Sequence, residues 1–204
     1  LRDPSQYPIV NRINELVLDI DTEVFAFIKE QFGRKITPNR LLKSMVVFIC
    51  VTILIVGIRS VGSSAMLVDF CYKLAIGILV AFLIIPIHEM IHGLTYYLLG
   101  ASDIRFRSNF KKMQFSAQAH NFVLTAIEFY LVALAPVVLI TVAGVCFGCV
   151  IGYWISVLGF LLMHTTMSSG DIALVSYCNS RSRAGQLYTY DDCDSGKVYF
   201  FGMS

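Results

Sequence analysis

The chain has 204 residues, 56% of them hydrophobic and only 15% charged, with a mean hydropathy of +0.69. A soluble domain carries roughly 45–50% apolar residues, so this composition predicts a polytopic membrane protein with the lipid bilayer as its first partner. A formal net charge of +2 is too mild to argue for nucleic acid; where the charges sit matters more than their sum.

The first residues from Leu1 lack a basic head followed by an apolar core, so no secretory signal peptide is expected there. Ile13, Leu16, Val17, Ile20, Val24, Phe27 and Ile28 recur at three- and four-residue intervals against Asn14, Asp19, Asp21, Glu23 and Lys29. That spacing predicts an amphipathic helix on the cytoplasmic surface or against the bundle, ended by Gly33. Residues 1–40 therefore read as a cytoplasmic or interfacial segment.

Apolar runs able to cross about 30 Å of hydrocarbon follow at Ser44 to Ile58, Tyr72 to Leu99, Leu124 to Val150 and Gly152 to Tyr177. Basic residues cluster before the first run (Lys29, Arg34, Lys35, Arg40, Lys43), after the second (Arg105, Arg107, Lys111, Lys112) and after the fourth (Arg181, Arg183, Lys197). The positive-inside rule then puts both termini in the cytoplasm and predicts four spans over residues 41–177. The expected fold class is an all-α polytopic membrane protein with a short β-hairpin after the second span.

That hairpin is expected within residues 102–122. Ile104-Arg105-Phe106-Arg107 and Met113 to His120 alternate apolar and polar residues, the period of a strand. An open strand edge there could bind an extended peptide by backbone pairing. Residues 178–204 read as a small cytoplasmic tail, whose Asp191-Asp192-Cys193-Asp194 cluster is expected to be a solvated turn. The six cysteines are scattered, and Cys146 and Cys149 lack a second pair to complete a zinc site, so they read as ordinary small side chains.

The second run carries His88-Glu89-Met90-Ile91-His92. On a helix both imidazoles share one face and can meet one metal, while Glu89 stands beside the water the metal holds. A charge near the centre of a membrane helix costs about 2.5–3.5 kcal/mol on insertion scales, so a glutamate at this depth calls for a compensating cation. A third ligand must come from elsewhere. Asp171, beside Ser168-Ser169-Gly170 on the fourth run, lies at compatible depth, and Gly93 offers matching room on the second. His164, about 10 Å further along the axis, is the second choice unless the Ser-Ser-Gly stretch unwinds. Glu128 is expected to pair with a neighbouring base, and His120 to be a surface histidine. Pro86 and Pro136 each remove a helix hydrogen bond, freeing the carbonyls of Phe82 and Val132 beside a wet cavity.

The His88-Glu89-x-x-His92-Gly93 motif, the strand-like stretch after it, Ala133-Leu134-Ala135-Pro136 and Ser169-Gly170-Asp171, in that order, resemble the putative zincin peptidases. These are small bacterial membrane proteins distantly similar to site-2 proteases. The resemblance implies Zn²⁺ on His88, His92 and Asp171, Glu89 as general base, a membrane-associated protein or peptide substrate, and a bacterial inner-membrane location. Asp171 is followed by Ile172 rather than glycine, and no Asn-Pro-x-Pro precedes it, so the oxyanion-stabilising group departs from the site-2 pattern; His164 and Asn121 are the candidates. The alternative reading is a non-hydrolytic metal-binding membrane protein, such as a regulator, client binder or transporter component; hydrolysis of a lipid-linked substrate is a weaker third. Nothing in the sequence sets an oligomeric state.

Overall fold

The computed structural model describes residues 2–7, 12–19, 37–60, 62–109, 114–182 and 187–203, together with residues 23, 26, 27 and 30 between the N-terminal strand and the first helix. In chain order the elements are strand β1 (Arg12–Asp19), helices α1 (Thr37–Ser60), α2 (Ser64–Leu83) and α3 (Ile85–Leu98), strands β2 (Ile104–Asn109), β3 (Gln114–Ala119) and β4 (Leu124–Thr125), helices α4 (Ala126–Ile151), α5 (Trp154–Met167) and α6 (Ser169–Ser182), and strands β5 (Leu187–Asp192) and β6 (Lys197–Met203).

Helices cover all four apolar runs, and two breaks shape them. Helix α2 ends at Leu83 and α3 restarts with Pro86 in its first turn, where a missing N–H leaves no helical bond unmade. The second break lies at Ser168, whose buried hydroxyl donates to the His164 carbonyl at 3.0 Å, and the flanking helices meet at a 50° bend. Among the described residues, Ser64–Leu98 and Ala126–Ile151 are long and apolar enough to cross a membrane, and Trp154–Met167 with Ser169–Arg181 makes a third if the bent pair is one span. Leu83, Leu131 and Val150 point outward from these helices, an apolar surface suited to lipid.

Helices α2 and α5 touch backbone to backbone. A Cβ on Gly77 would collide with the Ser156 carbonyl, and one on Gly159 would lie 2.5 Å from the Leu74 carbonyl oxygen. Small residues allow this approach in a bilayer, where close packing replaces the hydrophobic drive between helices.

The expected all-α class is corrected by a four-stranded antiparallel sheet, ordered β1-β6-β5-β4. Residues 12–19, expected within an amphipathic helix, form its edge strand. The register shifts between Ile13 and Leu16, so a bulge interrupts the period of two, and the local spacing imitates a helix. Its partner β6 is distant in sequence, so no local pattern reports the pairing. Gly33, the expected end of that helix, lies outside the described residues, as do Lys111 and Lys112.

The expected hairpin is present: β2 and β3 pair antiparallel from Ile104 opposite Ala119 to Asn109 opposite Gln114. The C-terminal residues are a structural wall. Phe200 is fully buried and meets Phe129 of α4 and Tyr177 of α6 edge-on, at ring separations of 5.8 and 5.2 Å.

Candidate functional site

Helix α3 presents His88 and His92 on one face, and their Nε2 atoms lie 3.1 Å apart. Asp171, in the first turn of α6 after the Ser168 break, brings Oδ2 within 3.2 Å of His88 Nε2 and Oδ1 within 3.5 Å of His92 Nε2. Ligand atoms 2.0–2.1 Å from a tetrahedral zinc are separated by about 3.3 Å, so all three edges have the size that zinc requires. The donor chemistry, two imidazoles and one carboxylate, also suits that ion.

The His92 ring is held from behind. Its Nδ1–H donates to the Val132 carbonyl at 2.9 Å, which leaves the Nε2 lone pair of the neutral ring toward His88 and Asp171. Glu89 stands beside the tripod; the Ala117 backbone N–H donates to its carboxylate, and its Oε2 is buried with no partner. An orphaned carboxylate oxygen next to three converging donor atoms is the pattern a catalytic water would complete.

These groups open into a cavity of about 460 Å³, lined by residues of α3, β3, α4, α5 and α6 together with Leu18 of β1 and Val198 of β6. His164 lies in its wall, 2% exposed, with neither ring nitrogen bonded. Its ring stacks on Phe160 at 5.7 Å and stands 5.6 Å from that of His88. It is outside the closely spaced trio of donor atoms. Asn121 is elsewhere: exposed, at φ 52°, and hydrogen-bonded to His120 Nε2 at 3.0 Å.

Other expected residues fall in structural roles. Glu128 forms a capping box with Thr125 and pairs with Arg2 at 2.8 Å, as its interfacial place implies. The His120 side chain is only 15% exposed and accepts the Cys193 N–H at 3.1 Å, a correction to its reading as a surface group. Its neighbours Asp192 and Asp194 are held by Ser195 and Arg105, so the acidic cluster is a tied hairpin turn. Gly93 admits the Phe106 ring of β2, whose edge carbon a Cβ would approach to 2.8 Å, rather than the fourth run. Two cavity-lining groups went unforeseen: Gln118, buried with both amide atoms unpartnered, and Asp191, which accepts the Tyr96 hydroxyl at 3.1 Å. Strand alternation marks only which face Gln118 takes, and the fold that covers it is long-range.

No match was found among curated proteins or among solved structures. A family model described as Putative zincin peptidase matches residues 81–184, which span the end of α2, the motif helix, the hairpin, Asp171 and the helices between them. Zincins use zinc, and His88, Glu89 and His92 form a group whose ligand atoms lie within 4.8 Å of one another. The match covers half of the chain and includes every residue of the tripod, and the chain belongs to the putative zincin peptidase family.

Proposed function

We propose that this protein is a zinc metallopeptidase that cuts a peptide bond within or beside the membrane, with four spans and both termini in the cytoplasm. The observation that carries the reading is the tripod: His88, His92 and Asp171 within 3.1–3.5 Å of one another, with the unpartnered Glu89 Oε2 beside it. Asp171 takes the part that an aspartate of a later span plays in site-2 proteases. The Lys and Arg clusters before the first run, after the second and after the fourth, all on one side of a four-span bundle, support the orientation.

Zinc held there would polarise the scissile carbonyl and make water a stronger acid. Glu89, through Oε2, accepts the proton of the attacking water and returns it to the leaving amine. His164 presents a ring N–H to the carbonyl oxygen as that atom gains negative charge; the neutral imidazole always carries one such donor. Strand β3 lines the cavity from Phe115 to Gln118, so a membrane substrate unwound at the cut could lie extended along it.

The test is Glu89→Gln in purified protein. The expected result is zinc retained at the wild-type level with peptide cleavage abolished. Full cleavage by the variant would overturn Glu89 as the general base, whereas zinc binding by the wild-type protein without any cleavage would favour the non-hydrolytic metal-binding reading.

A further inference from the structure

The Val132 carbonyl has no donor within its own helix. In α4 that donor would be the N–H of residue 136, and residue 136 is proline, which has none. Val132 is 2% exposed and Pro136 is fully buried, so water is poorly placed to fill the gap. An unpaired carbonyl there would be costly. The donor comes from another helix: His92 Nδ1–H, at 2.9 Å.

We propose that Pro136 is a positioning residue of the metal site, acting through the N–H it lacks. By leaving the Val132 carbonyl free, it gives the His92 ring a single acceptor behind it. That bond commits the proton to Nδ1 and fixes the ring plane. The Nε2 lone pair then faces His88 Nε2 at 3.1 Å and Asp171 Oδ1 at 3.5 Å. An alanine at 136 would supply an N–H that competes for the same carbonyl, and the ring would lose its exclusive partner. The inference rests on the reading of His88, His92 and Asp171 as zinc ligands.

The experiment uses the full chain in detergent micelles, with zinc as the probe and a chelator as competitor. Pro136→Ala is expected to weaken zinc binding about 10- to 100-fold, the usual cost of losing an outer partner of a ligating histidine. The cobalt(II)-loaded variant should show a shifted visible spectrum. A purely structural proline predicts the opposite pattern, because alanine is the better helix former: equal zinc affinity and equal or higher thermal stability. A second variant replaces Pro136 by the α-hydroxy analogue of alanine, whose ester link has neither ring nor N–H. Its zinc affinity should stay within about threefold of wild type.

Unchanged affinity in Pro136→Ala overturns the proposal, as does an ester variant that loses as much affinity as Pro136→Ala. If Pro136→Ala does not fold, the ester variant decides: affinity within about threefold of wild type supports the proposal, and a loss of about tenfold or more overturns it. Failure of the wild-type chain to bind zinc would be a different result, since it removes the metallopeptidase reading itself.

Discussion

The Tyr96 hydroxyl donates to Asp191 Oδ2 at 3.1 Å, tying the helix that carries the zinc motif to strand β5 of the terminal sheet. Tyr96 sits one turn beyond His92, so this hydrogen bond ties the sheet to the helix close to the site. Burial pushes the Asp191 carboxyl up from its ordinary 3.8 to about 6, against the opposing pull of the Tyr96 hydroxyl and the Ala119 backbone N–H. A raised value means that the folded chain holds the proton more tightly than the unfolded one. The contribution is therefore complete below pH 3.8 and is lost as pH rises through about 6.

Thermal stability in micelles should accordingly fall between about pH 4 and pH 6, by as much as about 3 kcal/mol. Asp191→Asn should flatten that slope, and Tyr96→Phe should move it to higher pH by removing a donor to the carboxylate. Asp103, lowered by its hydrogen bond to Arg105, and Asp192, lowered by Ser195, act with the opposite sign and below their ordinary 3.8. Other groups also titrate above about pH 4, so the Asp191 contribution is read as the difference between the wild-type and Asp191→Asn profiles of unfolding temperature against pH. Identical slopes in the two proteins would contradict the account.

Zinc titration distinguishes the two candidates for the third ligand. Asp171→Ala removes a carboxylate with one oxygen 3.2 Å from His88 Nε2, and should weaken zinc binding more than the 10- to 100-fold typical of an outer-shell loss. His164→Phe should leave it within about threefold. The reverse ranking would move the third ligand to α5.

The glycines between α2 and α5 make a stability prediction. Gly77→Ala drives a methyl into the Ser156 carbonyl, and neither helix backbone can yield as a side chain would. The expected cost is at least the 1–3 kcal/mol of an overpacked core. Gly57→Ala is the control, because its Cβ meets only the Phe70 ring at 3.4 Å, and it should be close to neutral. Unfolding by denaturant in micelles measures both.

Much of the site was legible because its signals are local. The four-residue spacing of His88 and His92 places both rings on one helix face, and Asp171 follows the small residues Ser168-Ser169-Gly170 at compatible depth, although the helix break at Ser168 is a feature of the structure. Pro136 announced a free Val132 carbonyl from the arithmetic of helix bonds alone. What took that carbonyl was not legible, since His92 lies on another helix. The sheet was hidden for the same reason: β1 pairs with β6 across nearly the whole chain, and its bulge disguises the alternation. Sheet pairing also turns the expected tail into a wall of the cavity, where Val198 faces the same space as Glu89.

The last prediction concerns His164. It is 2% exposed, with both ring nitrogens unpartnered, in the wall of the cavity that holds the tripod. A buried imidazole without partners is costly unless something else bonds it during function. If that partner is the carbonyl oxygen of the scissile peptide, His164→Phe should lower kcat about 10²- to 10³-fold, the loss seen when one oxyanion donor is removed. KM and zinc content should change little, because the bond strengthens only as charge develops. His164→Gln keeps an N–H donor and should recover part of the rate. A peptide-cleavage assay with paired zinc analysis measures all three quantities. If His164→Phe raised KM and left kcat intact, the residue would be a ground-state contact, and the oxyanion role would fall.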